Sequence, residues 1–292
     1  MQIESLKVFC DLAETQSFTK AAEVNSVTQS AVSQTITALE KQFKSLLIER
    51  SKKNFRLTIE GDLVYDMSKR ILQSYEALQS KMQELRNEIC GQVRIATVYS
   101  IGLYDLPTYV KRFMKDHPEV NLRVEYRREP QVYEGVLGNI VDLGLAAYPI
   151  RDAKLQIVPL HEDPLVLICP PQHPLARQKT LKLKALTGQK LVSFSTDITT
   201  RKALDRMLKA EGAAVEHVME FDNIETIKRA VEIGLGVALV PEKTVQQEVA
   251  GQTLAAVKLE GNPRREVALF YKKDKVLSPA MKAFIDLLKE AR

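Results

Sequence analysis

The chain has 292 residues, of which 45% are hydrophobic and 27% charged, a balance that suits a globular protein of two or three domains and not a disordered or fibrous one. No apolar run reaches the length of a bilayer span, and the opening string MQIESLKVFCDLAETQSF mixes acids with apolar residues, unlike an export signal, so a cytoplasmic protein with no membrane partner is expected. The net charge of +5 permits a polyanionic partner, while the scattered Cys10, Cys90 and Cys169 argue against a disulfide scaffold or a CxxC metal knuckle.

Residues 1–58 read as short helices with tight joints. Leu6, Phe9, Cys10, Leu12 and Ala13 make the apolar face of the first. Ser17 is placed to cap a second, FTKAAEV, and Thr28 a third, QSAVSQTITALEKQF. On the third, Val32, Ile36 and Leu39 form an apolar stripe, while Gln29, Ser30, Ser33 and Gln34 occupy its first two turns. A solvated helix face normally carries Glu and Lys. Uncharged groups that donate and accept hydrogen bonds are instead what base edges in the major groove require. No acid stands between Thr28 and Leu39, as phosphate proximity demands. The layout is that of a helix-turn-helix with a recognition helix. The acid-free RSKKNFRLT that follows offers Arg50, Lys52, Lys53 and Arg56, with Thr28 at the helix start, for the DNA backbone as a wing.

Residues 59–90 predict one long helix with no proline, a rod of roughly 45 Å. Val64, Ile71, Leu78 and Leu85 recur every seven residues, flanked by Tyr75, Met82 and Ile89. Such a rod cannot bury its stripe alone, so pairing with a second copy is expected, the alternative being packing on its own globular domain.

From residue 91 onward strands alternate with helices, which predicts α/β architecture with mainly parallel sheets. QVRIAT, NLRVEY, VDLGLAA, LQIVPL, PLVLICP, KLVSF, VEHVMEF, GVALVP and EVALFY read as strands. YDLPTYVKRFMKDH, PQVYEGVL, TRKALDRMLKAEG, IETIKRAVEIG, EKTVQQEVA and SPAMKAFIDLLKEA read as helices. Two lobes are expected, 91–160 with 267–292 and 161–266, and a ligand cleft between them. Two turns before helices are rich in hydroxyls: ATVYSIG, with Thr97 and Ser100, and FSTDITTR, with Ser195, Thr196, Thr199 and Thr200. Hydroxyls and free N–H groups at helix starts suit a carboxylate or other small anion, although ordinary capping explains each turn separately.

The strings SFTKAAEVNSVTQSAVSQTITALEKQF and LIERSKKNFRLTIEG resemble the N-terminal domain of LysR-type transcriptional regulators. GQVRIAT, LPTYVKRFMKDHPEVNLRVEY, the HPLA at 173–176 and VEIGLGVALVP resemble the effector domain of the same family, so the likeness runs the length of the chain. It implies a mainly α winged helix-turn-helix domain at 1–58, a dimerising linker helix at 59–90, and a two-lobed α/β domain like a periplasmic binding protein at 91–292. It implies an interrupted palindromic operator on double-stranded DNA, self-association into dimers and tetramers, and contact with RNA polymerase. By position, Gln29, Ser30, Ser33 and Gln34 would face bases, and Arg50, Lys52, Lys53 and Arg56 the backbone. Tyr148 and Asn223 join Thr97, Ser100, Ser195 and Thr196 as effector candidates, and FSTDITTR resembles the loop of cysteine-biosynthesis regulators. The sequence departs from the family at Asn25 (commonly Leu), at Lys44 (commonly Gly, in a left-handed helix cap) and at Gln34 (frequently Arg).

No HExxH, GxSxG, P-loop or dinucleotide fingerprint appears, so no catalytic residue, metal ligand or cofactor is expected beyond a small-molecule effector of unknown identity. His117 and His173 precede prolines in loops, and Asp142 reads as structural. A free-standing solute binder would not carry the first ninety or so residues, and a DNA-packaging protein would not need two ligand-binding lobes.

Overall fold

A computed structural model describes residues 2–50 and 55–290, leaving Lys52, Lys53 and the side chain of Arg50 outside the described set. The chain divides into two compact units, one comprising Met1–Cys90 with Gly138–Ile140 and Asp274–Lys282, the other Gly91–Leu137, Val141–Lys273 and Ala283–Arg292.

The first unit opens with α1 (Ile3–Thr15), α2 (Phe18–Asn25) and α3 (Gln29–Phe43). Ser17 caps α2 by accepting from Lys20 N, and Thr28 caps α3 by accepting from Ala31 N at 3.2 Å. The helices end on left-handed residues, Gln16, Ser26 and Lys44, with φ near 50° in each case. Asn25 closes α2 with its side chain, Nδ2 donating to Ala21 O and to Asp11 Oδ2 at 2.9 Å each. Leu6, Phe9, Leu12, Ala21, Val32, Ile36 and Leu39 form the core between the helices. The hairpin β1 (Ile48–Arg50) and β2 (Phe55–Leu57) follows, with Glu49 opposite Arg56 in its register. Leu47 N donates to Glu40 Oε1 at 3.1 Å and fixes the hairpin to the end of α3.

α4 (Ile59–Leu85) starts hard against that hairpin. Thr58 accepts from Gly61 N at 2.9 Å and donates to Leu46 O at 2.6 Å. A Cβ on Gly61 would stand 2.1 Å from Leu47 O, so the early glycine of the long helix is a close-approach residue. The helix has 27 residues, about 40 Å, and ends short of Ile89, the last member of the predicted flanking stripe. Val64 and Tyr65 pack on the helix-turn-helix core, whereas Leu63, Met67, Ile71, Leu78, Met82 and Leu85 are exposed.

The second unit contains β3 (Gly91–Thr97), α5 (Tyr99–Tyr104), α6 (Leu106–Asp116), β4 (Val120–Tyr126), α7 (Glu129–Leu137), β5 (Leu143–Ala147) and β6 (Leu155–Cys169). It continues with β7 (Thr180–Leu181), β8 (Lys190–Phe194), α8 (Thr199–Ala210), β9 (Glu216–Phe221), α9 (Ile224–Glu232) and β10 (Ala238–Pro241). α10 (Gln246–Ala250), β11 (Ala255–Leu259) and β12 (Arg264–Lys272) follow, and α11 (Pro279–Lys289) belongs to this unit from Ala283 onward. The predicted helix at 104–117 is two helices that meet at Asp105, with Pro107 in the first turn of the second.

The sheets are mixed, not mainly parallel as the alternation of elements predicts. β4, β3 and β5 run parallel, but β12 lies antiparallel to both β5 and β6. LQIVPL and PLVLICP are halves of one strand: β6 pairs with β12 in the first lobe, then with β10 and β11 in the second. The prolines within it disguise this continuity, and the register shifts opposite Val267 and Ala268, next to Pro159. β8 and β9 pair in parallel, and Leu191 bridges to Val237 to join them to the second lobe. A single apolar core from Leu165 to Leu259 fills that lobe. Among the described residues no helix is long and apolar enough to cross a membrane.

Candidate functional site

The exposed face of α3 is the first candidate. Gln29, Ser30, Ser33 and Gln34 are exposed, and Val32, Ile36 and Leu39 are buried on the opposite side. Ser30, Ser33, Gln34, Thr37, Ala38 and Lys41 line one shallow concavity. Thr37 and Lys41 lie outside the set expected from sequence, although steps of three and four residues from Ser30 and Gln34 lead to them. Thr28 Oγ1 lies 2.9 Å from Ser30 Oγ and also caps the helix. Arg56 is exposed on β2.

The second candidate is a cleft of about 420 Å³, surrounding solvent included, between the lobes of the second unit. Ser100 and Asn223 line it, whereas Thr97, Tyr148, Ser195 and Thr196 do not. Thr97 is fully buried and donates to Val98 O at 3.2 Å. Tyr148 sits at φ 47° with its N–H on Glu266 O, and its hydroxyl is buried with no hydrogen-bond partner. Burial pushes that phenol up to about 12. Thr196 is exposed, and Asn223 caps α9 by accepting from Thr226 N at 3.0 Å.

Charged residues supply most of what the hydroxyl pattern missed. Arg127, Glu129, Asp222 and Arg265 line the cleft with Tyr99, beside Thr200 from the hydroxyl-rich turn. Arg265 is 2% exposed. Its Nη1 donates to Ser100 Oγ at 2.8 Å and its Nη2 to Asp163 Oδ2 at 2.6 Å. Its Nε is buried without a partner. Glu129, 4% exposed, accepts from Thr199 N at 2.9 Å and Thr199 Oγ1 at 2.6 Å. Burial lifts its carboxyl above the usual range, against the opposing pull of those hydrogen bonds. Arg127 is held by Glu125, its Nε 2.9 Å from Oε2.

Other pairs join the lobes around the cleft. Arg128 reaches Asp197 at 3.0 Å and Asp222 at 3.4 Å. Tyr104 donates to Glu225 at 2.7 Å, and the buried Lys228 donates to Tyr104 and, at 2.7 Å, to Glu248. Asp105, His161 and Asp163 bring ligand-type atoms within 4.8 Å of one another. Lys243 and Arg265 already balance the two carboxylates there, so a divalent cation would add excess charge.

Asp142 takes both the N–H and the guanidinium of Arg94 and ties β3 to the residues before β5. Ser193 Oγ lies 2.7 Å from His217 Nδ1, and His217 Nε2 lies 3.7 Å from Asp205. Ser193 is 4% exposed, and Asp205 is held by Arg201 at 2.8 Å.

Residues 3–62 match the family described as "Bacterial regulatory helix-turn-helix protein, lysR family", and residues 86–292 match "LysR substrate binding domain". The chain is 32% identical to the RuBisCO operon transcriptional regulator of Allochromatium vinosum over 285 residues, covering 97% of this chain and 94% of the relative. It is 30% identical to the transcriptional activator CmpR of Synechocystis sp. over 287 residues, 98% and 94% of the two chains. A full-length OxyR variant of Pseudomonas aeruginosa superposes with a TM-score of 0.75 at 23% identity, covering 100% of this chain and 94% of that one. The Synechocystis CcmR regulatory domain in complex with 2-PG gives 0.63 at 23% identity over 68% and 96%. Full-length CbnR complexed with target DNA gives 0.60 at 20% identity over 100% and 99%. With one match over the helix-turn-helix unit and another over the α/β region, the chain belongs to the LysR family of transcriptional regulators.

Proposed function

We propose that α3 reads an interrupted palindromic operator, that α4 pairs two copies, and that a small metabolite carrying an anionic group binds between the lobes and changes the DNA-bound assembly. The observation that carries the effector reading is Arg265, a buried cation lining the cleft with one N–H unmet. The 2-PG complex of CcmR is a counterpart that supports the effector reading, and the DNA complex of CbnR one that supports the reading of DNA binding. Gln29, Ser30, Ser33 and Gln34 read bases, with Thr37 and Lys41 extending the same face, and Thr28, Arg50, Lys52, Lys53 and Arg56 serve the backbone. Ser100 and Asn223 are the ligand contacts retained from the sequence, with Arg265 added. The protein acts in the cytoplasm, assembles as dimers and tetramers, engages RNA polymerase and carries no cofactor.

An enzyme reading has one motif in its favour, the Ser193–His217–Asp205 order. The buried Ser193 offers no access to a substrate, and Arg201 holds the acid, so the arrangement is structural. A ligand that touches both lobes shifts their equilibrium by its difference in affinity for closed and open forms. The experiment is operator binding by the full chain with metabolite fractions, comparing wild type with Ser100→Ala. Losing one hydrogen bond to a charged ligand group costs about 1.5–3 kcal/mol, so the active fraction is expected to need ten- to a hundredfold more material. Unchanged potency in Ser100→Ala would place the effector elsewhere.

A further inference from the structure

The start of α8 is closed by a residue from the other lobe. The flanking Ile198 supplies no side-chain cap, and the first N–H groups of any helix lack partners inside it. Glu129 fills the gap, its two carboxylate oxygens taking the Thr199 N–H and hydroxyl. A helix N-terminus attracts anions, so here the anion is built into the protein. The carboxylate lines the cleft and is 4% exposed. Each of its oxygens has a second acceptor site, so it can still receive a hydrogen bond while it repels a second anion.

In the same cleft Arg265 presents the opposite demand. Ser100 and Asp163 use its two terminal nitrogens, and its Nε stays buried and unpaired. A donor on a buried cation is best met by an anionic acceptor. The other two charged residues of the cleft are engaged outside it, Arg127 by Glu125 and Asp222 by Arg128.

We propose that Glu129 is the specificity-determining residue of the cleft: it bars the ligand's anionic group from the start of α8, leaves that group to Arg265, and accepts a hydrogen bond from a hydroxyl or ammonium group on the same ligand. This rests on the cleft being the effector site and narrows its ligand to a small hydroxy acid or amino acid. A bare inorganic anion does not satisfy both residues.

The test is calorimetry of the full chain with sulfate, glycolate and acetate, using wild type, Glu129→Ala and Glu129→Gln. Sulfate is expected to bind Glu129→Ala at least tenfold more tightly than wild type, because the vacated helix start becomes an anion site. Glycolate is expected to outbind acetate severalfold in wild type, and the preference is expected to vanish in Glu129→Ala. Glu129→Gln keeps an oxygen for the Thr199 N–H without the charge; it covers the case of Glu129→Ala failing to fold, and it too should admit sulfate. Equal sulfate affinity in wild type and variants, or glycolate and acetate indistinguishable in wild type, overturns the proposal. A regulatory metabolite fraction weakened by Ser100→Ala but untouched by Glu129→Ala rejects the role of Glu129 alone. One untouched by both rejects the cleft.

Discussion

Arg265 on β12 donates to Asp163 on β6 at 2.6 Å, where the two strands pass from one lobe into the other. Both side chains are nearly fully buried. The pair ties the two strands together at the crossing and holds the cleft's cation in place, so the crossing and the proposed ligand site share a residue.

That sharing has a pH signature. Burial alone would raise the Asp163 carboxyl, but His161 and Arg265 outweigh it and bring it down to about 2 from 3.8. A carboxyl depressed on folding stabilises the protein above its unfolded value, and that contribution is lost as pH falls through the folded value. The stabilisation, about 2 kcal/mol, is therefore present at pH 5 and declines between about pH 4 and 2. Thermal melts of wild type and Asp163→Asn across that range check it. The variant is expected to be less stable at pH 5, because Arg265 loses its counter-charge, and the gap should narrow toward pH 2. A gap that stays constant with pH would refute the assignment.

Gly61 predicts a steric effect. Alanine there brings a methyl 2.1 Å from the Leu47 carbonyl, backbone that cannot rotate away. Helix propensity alone would favour alanine by about 1 kcal/mol, so a loss of stability separates the two influences. Gly61→Ala is expected to lower the midpoint of the DNA-binding unit and weaken binding to all DNA alike. A stabilised variant with unchanged binding would show that the hairpin yields.

Local pattern made the first unit legible. The buried stripe Val32, Ile36 and Leu39 faces the core, Ser17 and Thr28 cap as read, and Asn25 closes α2 with its side chain. The cleft was less legible because its chemistry depends on partners far apart in the chain. Arg265 meets Ser100 across 165 positions, and Glu129 meets Thr199 across 70. Reading hydroxyls before helices selects Thr200, which lines the cleft, and Thr199, which meets Glu129, but also Ser195 and Thr196, which do not line it. A charged residue at the end of a strand or start of a helix looks solvated until its partner is placed. The mixed sheet was hidden for a related reason: Pro159 and Pro164 read as strand ends within β6.

The exposed face of α4 predicts assembly. Ile71, Leu78 and Leu85 lie exposed at seven-residue spacing with Met67 and Met82 beside them, whereas Val64 is already used by the helix-turn-helix core. Leu78→Glu would put a charge into an apolar seam, which burial without a partner strongly disfavours. Sedimentation of the full chain is expected to show a smaller species for Leu78→Glu than for wild type at the same concentration. The same sedimentation coefficient for both would remove α4 from the interface.

Base readout and backbone anchoring should separate experimentally. Gln34 and Ser33 are exposed on α3 with no charge, and amide side chains pair bidentately with adenine where arginine pairs with guanine. Gln34→Ala is expected to cost about 1–3 kcal/mol on the cognate operator, relax selectivity at one position, and leave random DNA unaffected. Arg56 is exposed on β2, opposite Glu49 in the hairpin register. Arg56→Ala is expected to weaken cognate and random DNA alike and to flatten the salt dependence by less than a full unit, because a phosphate contact releases counterions without reading sequence. Titrations at several salt concentrations on both DNA types measure each quantity. If Gln34→Ala changes the salt slope while Arg56→Ala changes selectivity, the two roles are reversed and α3 meets the duplex through its backbone.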